Sequence, residues 1–219
     1  ANSQLKIRAQ VFGIFLDGKN SQLPLVLGSI PKIETDTNSI DQSLPSVSIP
    51  IDGNTNIEKA FNFFISPEGG EFTPQQACGM IGNFCVESGA TSNQGDINPS
   101  AVSGFKNEGS FGIAQWNPAK KAGDRFGELQ KFAGRINKDY REMETQLRFV
   151  KHELETLPYL GLGQLRGTTT LKDATIVFQN KYERPNKDLA HTDQRIAFAQ
   201  ETMKKLGTGV DDDPINPEE

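Results

Sequence analysis

The chain has 219 residues but only two cysteines, two histidines and one tryptophan. Cys78 and Cys85 lie seven positions apart in a helical pattern. At 1.5 Å of rise per residue they would stand about 10 Å apart, beyond disulfide reach. Two free, buried thiols are expected, which argues against a disulfide-stapled secreted domain. Two histidines with no acid at ligand spacing make a zinc site unexpected, and no metal or cofactor is expected. No apolar run approaches the roughly 18 residues of a membrane span, so no membrane insertion is expected. No N-terminal segment has the charged-then-apolar form of a secretory signal. The chain opens Ala1-Asn2-Ser3 without Met, as a processed chain or a piece of a longer protein would.

An excess of positive charge is also lacking. The formal net charge is −5. Residues 1–55 carry −1, residues 56–206 carry +1, and residues 207–219 carry −5. The body is near neutral and the acidity lies in the tail, with Asp211, Asp212, Asp213, Glu218 and Glu219. Nothing provides the basic stripe that nucleic-acid binding needs. Hydrophobic content of 35% is low, yet enough for one core of about 150 residues.

The pattern divides the chain into four parts. Residues 1–34 read as a small β segment: Leu5–Val11 alternates apolar and polar, Asp17-Gly18-Lys19-Asn20 is a turn signal, and Leu25–Ile30 is a second strand candidate. Residues 35–55, rich in Ser, Thr, Asn, Asp and Pro, read as an extended linker. Residues 56–206 read as a mainly helical domain with one short β insertion, and residues 207–219 as an acidic flexible tail. The fold class expected is therefore α+β. Thr73-Pro74-Gln75-Gln76 is a helix start, with Thr73 capping, Pro74 at the first helical position and Gln76 completing a capping box. That helix should run to Ser88, with Gly89 ending it. Ile57–Ile65, Arg125–Ala133 and Tyr140–Leu157 are further helices, followed by one capped by Thr170 that ends before Pro185 and one capped near Thr192 that ends at Gly207. Residues 90–118 lack helical periodicity and read as turns and short strands.

The chemistry centres on Gly82 to Asn117. Glu87 falls in the last turn of a helix, beside Met80 and Phe84. A carboxyl against an apolar wall has a raised pKa and can donate a proton near neutral pH. The competing reading is a helix-terminal Glu in solvent. A carboxylate there is mildly disfavoured by the helix dipole. Gly109–Asn117 follows, with glycines that let backbone approach a ligand and with Gln115 and Asn117 as donors and acceptors. An acid and an amide-bearing loop suit a neutral, hydroxyl-rich ligand such as a sugar chain; a plain hairpin feeding a core Trp116 is the alternative. Glycosidic cleavage needs an acid on the leaving oxygen and a second group across the sugar. Asp96 and Glu108 are the candidates for that second carboxylate, and either can be an ordinary turn residue. Cys85 with His152 or His191 would be a different chemistry, but Cys85 sits in an apolar helical pattern with Cys78, as a core thiol does. Glu183-Arg184-Pro185 reads as a salt bridge and stop signal at a helix end, with Tyr182 and Glu183 lining the cleft as the alternative.

From Phe61 to Leu206 the chain resembles the phage tail lysozyme family, peptidoglycan hydrolases with a lysozyme-like fold. The resembling pieces are Gln76–Phe84, Glu87-Ser88-Gly89, Asn98-Pro99-Ser100-Ala101, Gly109–Trp116, Gln146-Leu147-Arg148-Phe149, and Phe178 through Tyr182-Glu183-Arg184-Pro185. The Glu87-Ser88-Gly89 and Gly109–Gln115 arrangement is also similar to goose-type lysozymes and lytic transglycosylases; Ser110 replaces the motif glycine before Phe111. The resemblance implies that Glu87 is the catalytic acid and that Gln115 lies in the sugar cleft. Ser88, Ser110, Phe111, Gly112, Trp116 and Tyr182 join Gln115 as expected glycan contacts. The implied partners are peptidoglycan glycan strands and other virion tail proteins, and the implied place is the virion tail or baseplate. The second carboxylate stays open between Asp96 and Glu108. Residues 1–34 resemble the end of the small β-barrel that precedes a lysozyme domain in tail-hub proteins of contractile phages.

Overall fold

The computed structural model describes the backbone of residues 11–15 and 24–29, and residues 50–207 except 91, 92, 106, 107, 187 and 189. The chain divides into two compact units, 1–47 and 48–219. In the first, strands β1 (Val11–Phe15) and β2 (Pro24–Ser29) pair antiparallel, with a register irregularity between Phe12 and Gly13. The strand expected at Leu5–Val11 lies outside the described residues except for Val11, as does the acidic tail.

The second unit is mainly helical. Its α-helices among the described residues are α1 (Asn56–Ile65), α2 (Pro74–Glu87), α3 (Arg125–Arg135), α4 (Met143–Thr156), α5 (Leu162–Arg166), α6 (Leu171–Phe178) and α7 (Thr192–Leu206). None is long and apolar enough to cross a membrane. A π-helical turn, Gln179–Glu183, continues α6. The capping box of α2 forms as the sequence predicts: Thr73 Oγ1 accepts from the Gln76 N–H, and Gln76 Oε1 accepts from the Thr73 N–H. Thr55 and Glu58 make the same arrangement on α1. The short helix α5 is not anticipated in the sequence: five residues are too few to show a period.

Helix α2 is the central element. Ala77, Cys78, Met80, Ile81, Phe84 and Cys85 are buried, and so is Asn83. Phe84 stacks on Phe64 of α1 and meets Phe178 of α6 edge-on, at 6.1 and 5.4 Å. Gly82 lets α7 approach. A Cβ there would lie 2.3 Å from the Arg195 carbonyl oxygen and 2.8 Å from Ala199 Cβ. Only hydrogen fits, and the close crossing sets Arg195 beside the C-terminal half of α2.

Residues 90–118 form no strand among those described. Among the described residues its β pairing consists of two isolated bridges, Val102 with Phe111 and Phe111 with Trp116. The expected short β insertion is not shown as strands there; turns predominate, anchored by side chains. Gln146 of α4 is the main anchor. Its Nε2 donates to the Pro99 and Tyr140 carbonyls at 2.7 and 2.9 Å, and its Oε1 accepts from the Ile113 N–H at 3.0 Å. Gly112 (φ 82°) is required there, since a Cβ would meet Gln146 Oε1 at 2.8 Å. At the end of the expected linker, the Ile51 N–H donates to Glu144 Oε1 and the Asp52 carbonyl accepts from Asn62, so this stretch is fastened to the helices.

Candidate active site

Glu87 is the last residue of α2, and the helix stops there for local reasons. The Ser88 hydroxyl donates to the Phe84 carbonyl at 2.7 Å and accepts from the Asn98 N–H at 3.1 Å. Gly89 turns the chain at φ 69°. Asn83 and Glu87 are four residues apart on one face of α2, and both reach the same arginine. Arg195 Nη1 donates to Asn83 Oδ1 at 3.0 Å, Nη2 to Glu87 Oε1 at 2.6 Å, and Nε to the Ala190 carbonyl at 2.7 Å. Arg195 is 1% exposed. Met80 and Phe84, the expected apolar wall of Glu87, are core residues, and its carboxylate is bonded to a buried guanidinium.

Glu87 opens onto a cleft of about 670 Å³. Its lining includes Glu108, Ser110, Gln115, Asn117, Tyr159 and Glu183, with Lys121, Arg125 and Arg184 around them. Gln115 holds φ 44°, a left-handed conformation that costs a non-glycine residue energy and recurs at functional sites. Its Nε2 donates to the Gly112 and Ala101 carbonyls at 3.0 and 3.3 Å, which leaves Oε1 as the free acceptor of the amide. Glu108 accepts from the hydroxyls of Ser103 and Ser110. Tyr159, 59% exposed, stands under the Arg184 guanidinium at 5.4 Å.

Five of the expected glycan contacts, Ser88, Ser110, Gly112, Trp116 and Tyr182, are buried. Trp116 and Tyr182 are fully buried and Ser88 nearly so. The indole Nε1 of Trp116 and the hydroxyl of Tyr182 both donate to Glu153 Oε2, at 2.9 and 2.5 Å. Arg125 closes the cluster with two bonds to Glu153 at 2.8 and 2.9 Å. A buried aromatic with a polar handle needs such a partner, and this pair finds it in the Glu153 carboxylate. Phe111 is half-buried against Phe126 and Tyr140, at 5.1 and 5.4 Å, and Gly112 is buried. Asp96 is not among the residues that line the cleft. Its carboxylate accepts from the N–H groups of Asn56, Ile57 and Ile97 at 2.9 Å each, so it caps the start of α1.

Glu183 is a further carboxyl group of the cleft. The residue is half-buried as a whole, but its Oε1 is occluded and has no hydrogen-bond partner. Burial first, and then the charge of Glu87, push its carboxyl well above the usual range, against the pull of Arg195 and Arg125. Burial also pushes the Cys78 and Cys85 thiols up to about 12. Both are free and buried, as expected, and no thiolate nucleophile is available near neutral pH. Among the described residues no group of His, Cys, Asp and Glu is gathered to hold a metal ion.

Arg195 has no signal in the sequence, being one cation in an ordinary amphipathic helix. Glu183 has a weak one, its place beside the proline that ends α6 and its π turn. The profile of the phage tail lysozyme family matches residues 55–206. No curated protein matches the chain.

Proposed function

Because the chain belongs to the phage tail lysozyme family, we propose that it cleaves the β-1,4 bond between N-acetylmuramic acid and N-acetylglucosamine in peptidoglycan. Glu87 is the proton donor to the leaving oxygen. The observation that carries this reading is Glu87 at one polar cleft with Ser110, Gln115 and Asn117, the two stretches that the resemblance pairs. Glu108 is the second carboxylate of that cleft, placed to assist a water, while Asp96 is committed to backbone. Gln115 and Tyr159 supply glycan contacts. Residues 56–206 form the catalytic domain. Residues 1–34 are the remnant of a tail-hub barrel, and the enzyme belongs to the virion tail, acting on the host wall.

A second reading is a lytic transglycosylase, in which Glu87 is both acid and base and the sugar's own 6-hydroxyl attacks. It is favoured by Glu108, whose two oxygens are both already engaged by Ser103 and Ser110. Mass spectrometry of fragments released from purified cell walls separates the two. Reducing ends support hydrolysis, anhydro-muramyl ends support the transglycosylase, and no released glycan fragments would overturn both.

A further inference from the structure

Glu87 has one carboxylate oxygen committed to Arg195, yet the leaving oxygen of a glycan needs a proton. A third carboxyl group of the same cleft, Glu183, has the opposite problem. Glu183 Oε1 is occluded from water and no donor reaches it. An ionised oxygen buried without a partner is strongly disfavoured, and a neutral carboxyl carries much less of that cost. The backbone gives Glu183 little freedom to escape. It ends a π-helical turn, an irregularity that recurs at functional sites. Arg184 follows in a left-handed conformation at φ 52°. Beneath it, Tyr182 is pinned by its hydroxyl to Glu153 and by its carbonyl to Arg125 Nη1, at 2.5 and 3.3 Å.

Resting on the glycan-cleaving reading of this cleft, we propose that Glu183 and Glu87 form one acid pair that shares a single proton, with Glu183 holding it in the resting enzyme. Glu183 acts through Glu87 as a positioning residue. Cleavage passes one proton to the leaving oxygen. The attacking water or 6-hydroxyl gives one back, so the pair ends each turnover with the single proton it began with. The groups that act on Glu183 are Glu87 from α2, Glu153 from α4, Arg195 from α7 and Arg125 from α3. The two carboxylates oppose its ionisation and the two guanidinium groups favour it, with burial the largest influence of all.

The test is the pH profile of kcat/KM on soluble peptidoglycan fragments for the wild type and Glu183→Gln. The expected result is an alkaline limb moved toward acid by at least about one pH unit, and kcat at pH 7 lowered about tenfold or more with KM little changed. An unmoved limb in a folded variant would overturn the pairing, since a purely structural Glu183 leaves the profile's shape alone. If Glu183→Gln does not fold, infrared spectroscopy on the wild type and Glu87→Gln decides. A protonated-carboxyl band should be present in the wild type at pH 7, and should titrate at lower pH in Glu87→Gln, where the like charge is gone. Absence of the band, or a band indifferent to Glu87, overturns the proposal. The infrared result stands whether or not the protein cleaves walls, so failure of the pair and failure of the enzyme reading are distinguishable.

Discussion

Arg195 and Glu87 are 108 positions apart in the chain and meet at 2.6 Å. The contact exists because α7 crosses α2 at Gly82, where a side chain would strike the Arg195 backbone. The arginine is almost fully buried and its fork is divided between Asn83 and Glu87. Removing one partner of a buried pair leaves the other uncompensated. Arg195→Gln should lower unfolding stability by about 3 kcal/mol in urea titrations and reduce wall clearing. Arg195→Lys should recover part of the stability only, because an ammonium cannot reproduce the fork.

Gly82→Ala probes the crossing itself. Its Cβ forces α7 outward, and a loss of about 1–3 kcal/mol is expected together with lower activity. Gly134→Ala in α3, where a Cβ meets nothing within 4 Å, should instead stabilise by roughly 0.5–1 kcal/mol and leave clearing intact. Thermal unfolding of the two variants checks both directions at once.

The parts of this site that are legible in the sequence are the local ones. Thr73, Pro74 and Gln76 announce the start of α2, and Glu87-Ser88-Gly89 its end, because capping is written within four residues. The alternatives at Trp116, Asp96 and Glu183 could not be resolved the same way. Trp116 is in the core because Glu153, 37 positions away, accepts its N–H. Asp96 is a cap because α1 begins 40 positions earlier. Each choice depends on a partner brought in by the fold.

Glu153 tests that correction for Tyr182. Tyr182→Phe should cost about 1.5 kcal/mol of stability, the loss of a hydrogen bond to a charged group, with KM for soluble glycan fragments unchanged. A raised KM with unchanged stability would show instead that the hydroxyl meets the glycan. Glu153→Gln should cost more, about 3 kcal/mol, since it leaves Arg125 unpaired.

Glu183 gives stability a pH dependence. Its folded-state pKa lies above the ordinary 4.5, so above that pH the unfolded chain releases a proton that the folded chain keeps. Its contribution to stability is therefore complete at acid pH and is lost as pH rises from about 4.5 toward its folded value. Urea titrations at pH 4, 5.5 and 7 should show this decline in the wild type and a flatter profile in Glu183→Gln.

The thiols give a simpler readout. With both raised to about 12 by burial, Cys78 and Cys85 should resist alkylation at pH 8 in the native protein and react readily once unfolded. Fast labelling of the native protein would contradict the packing of α2.

The decisive experiment is Glu87→Gln assayed on purified cell walls. Glutamine keeps an oxygen for Arg195 but has no proton to give. Clearing should fall at least about a hundredfold while the unfolding midpoint holds. A folded variant that clears walls at the wild-type rate would contradict the assignment of Glu87 as proton donor.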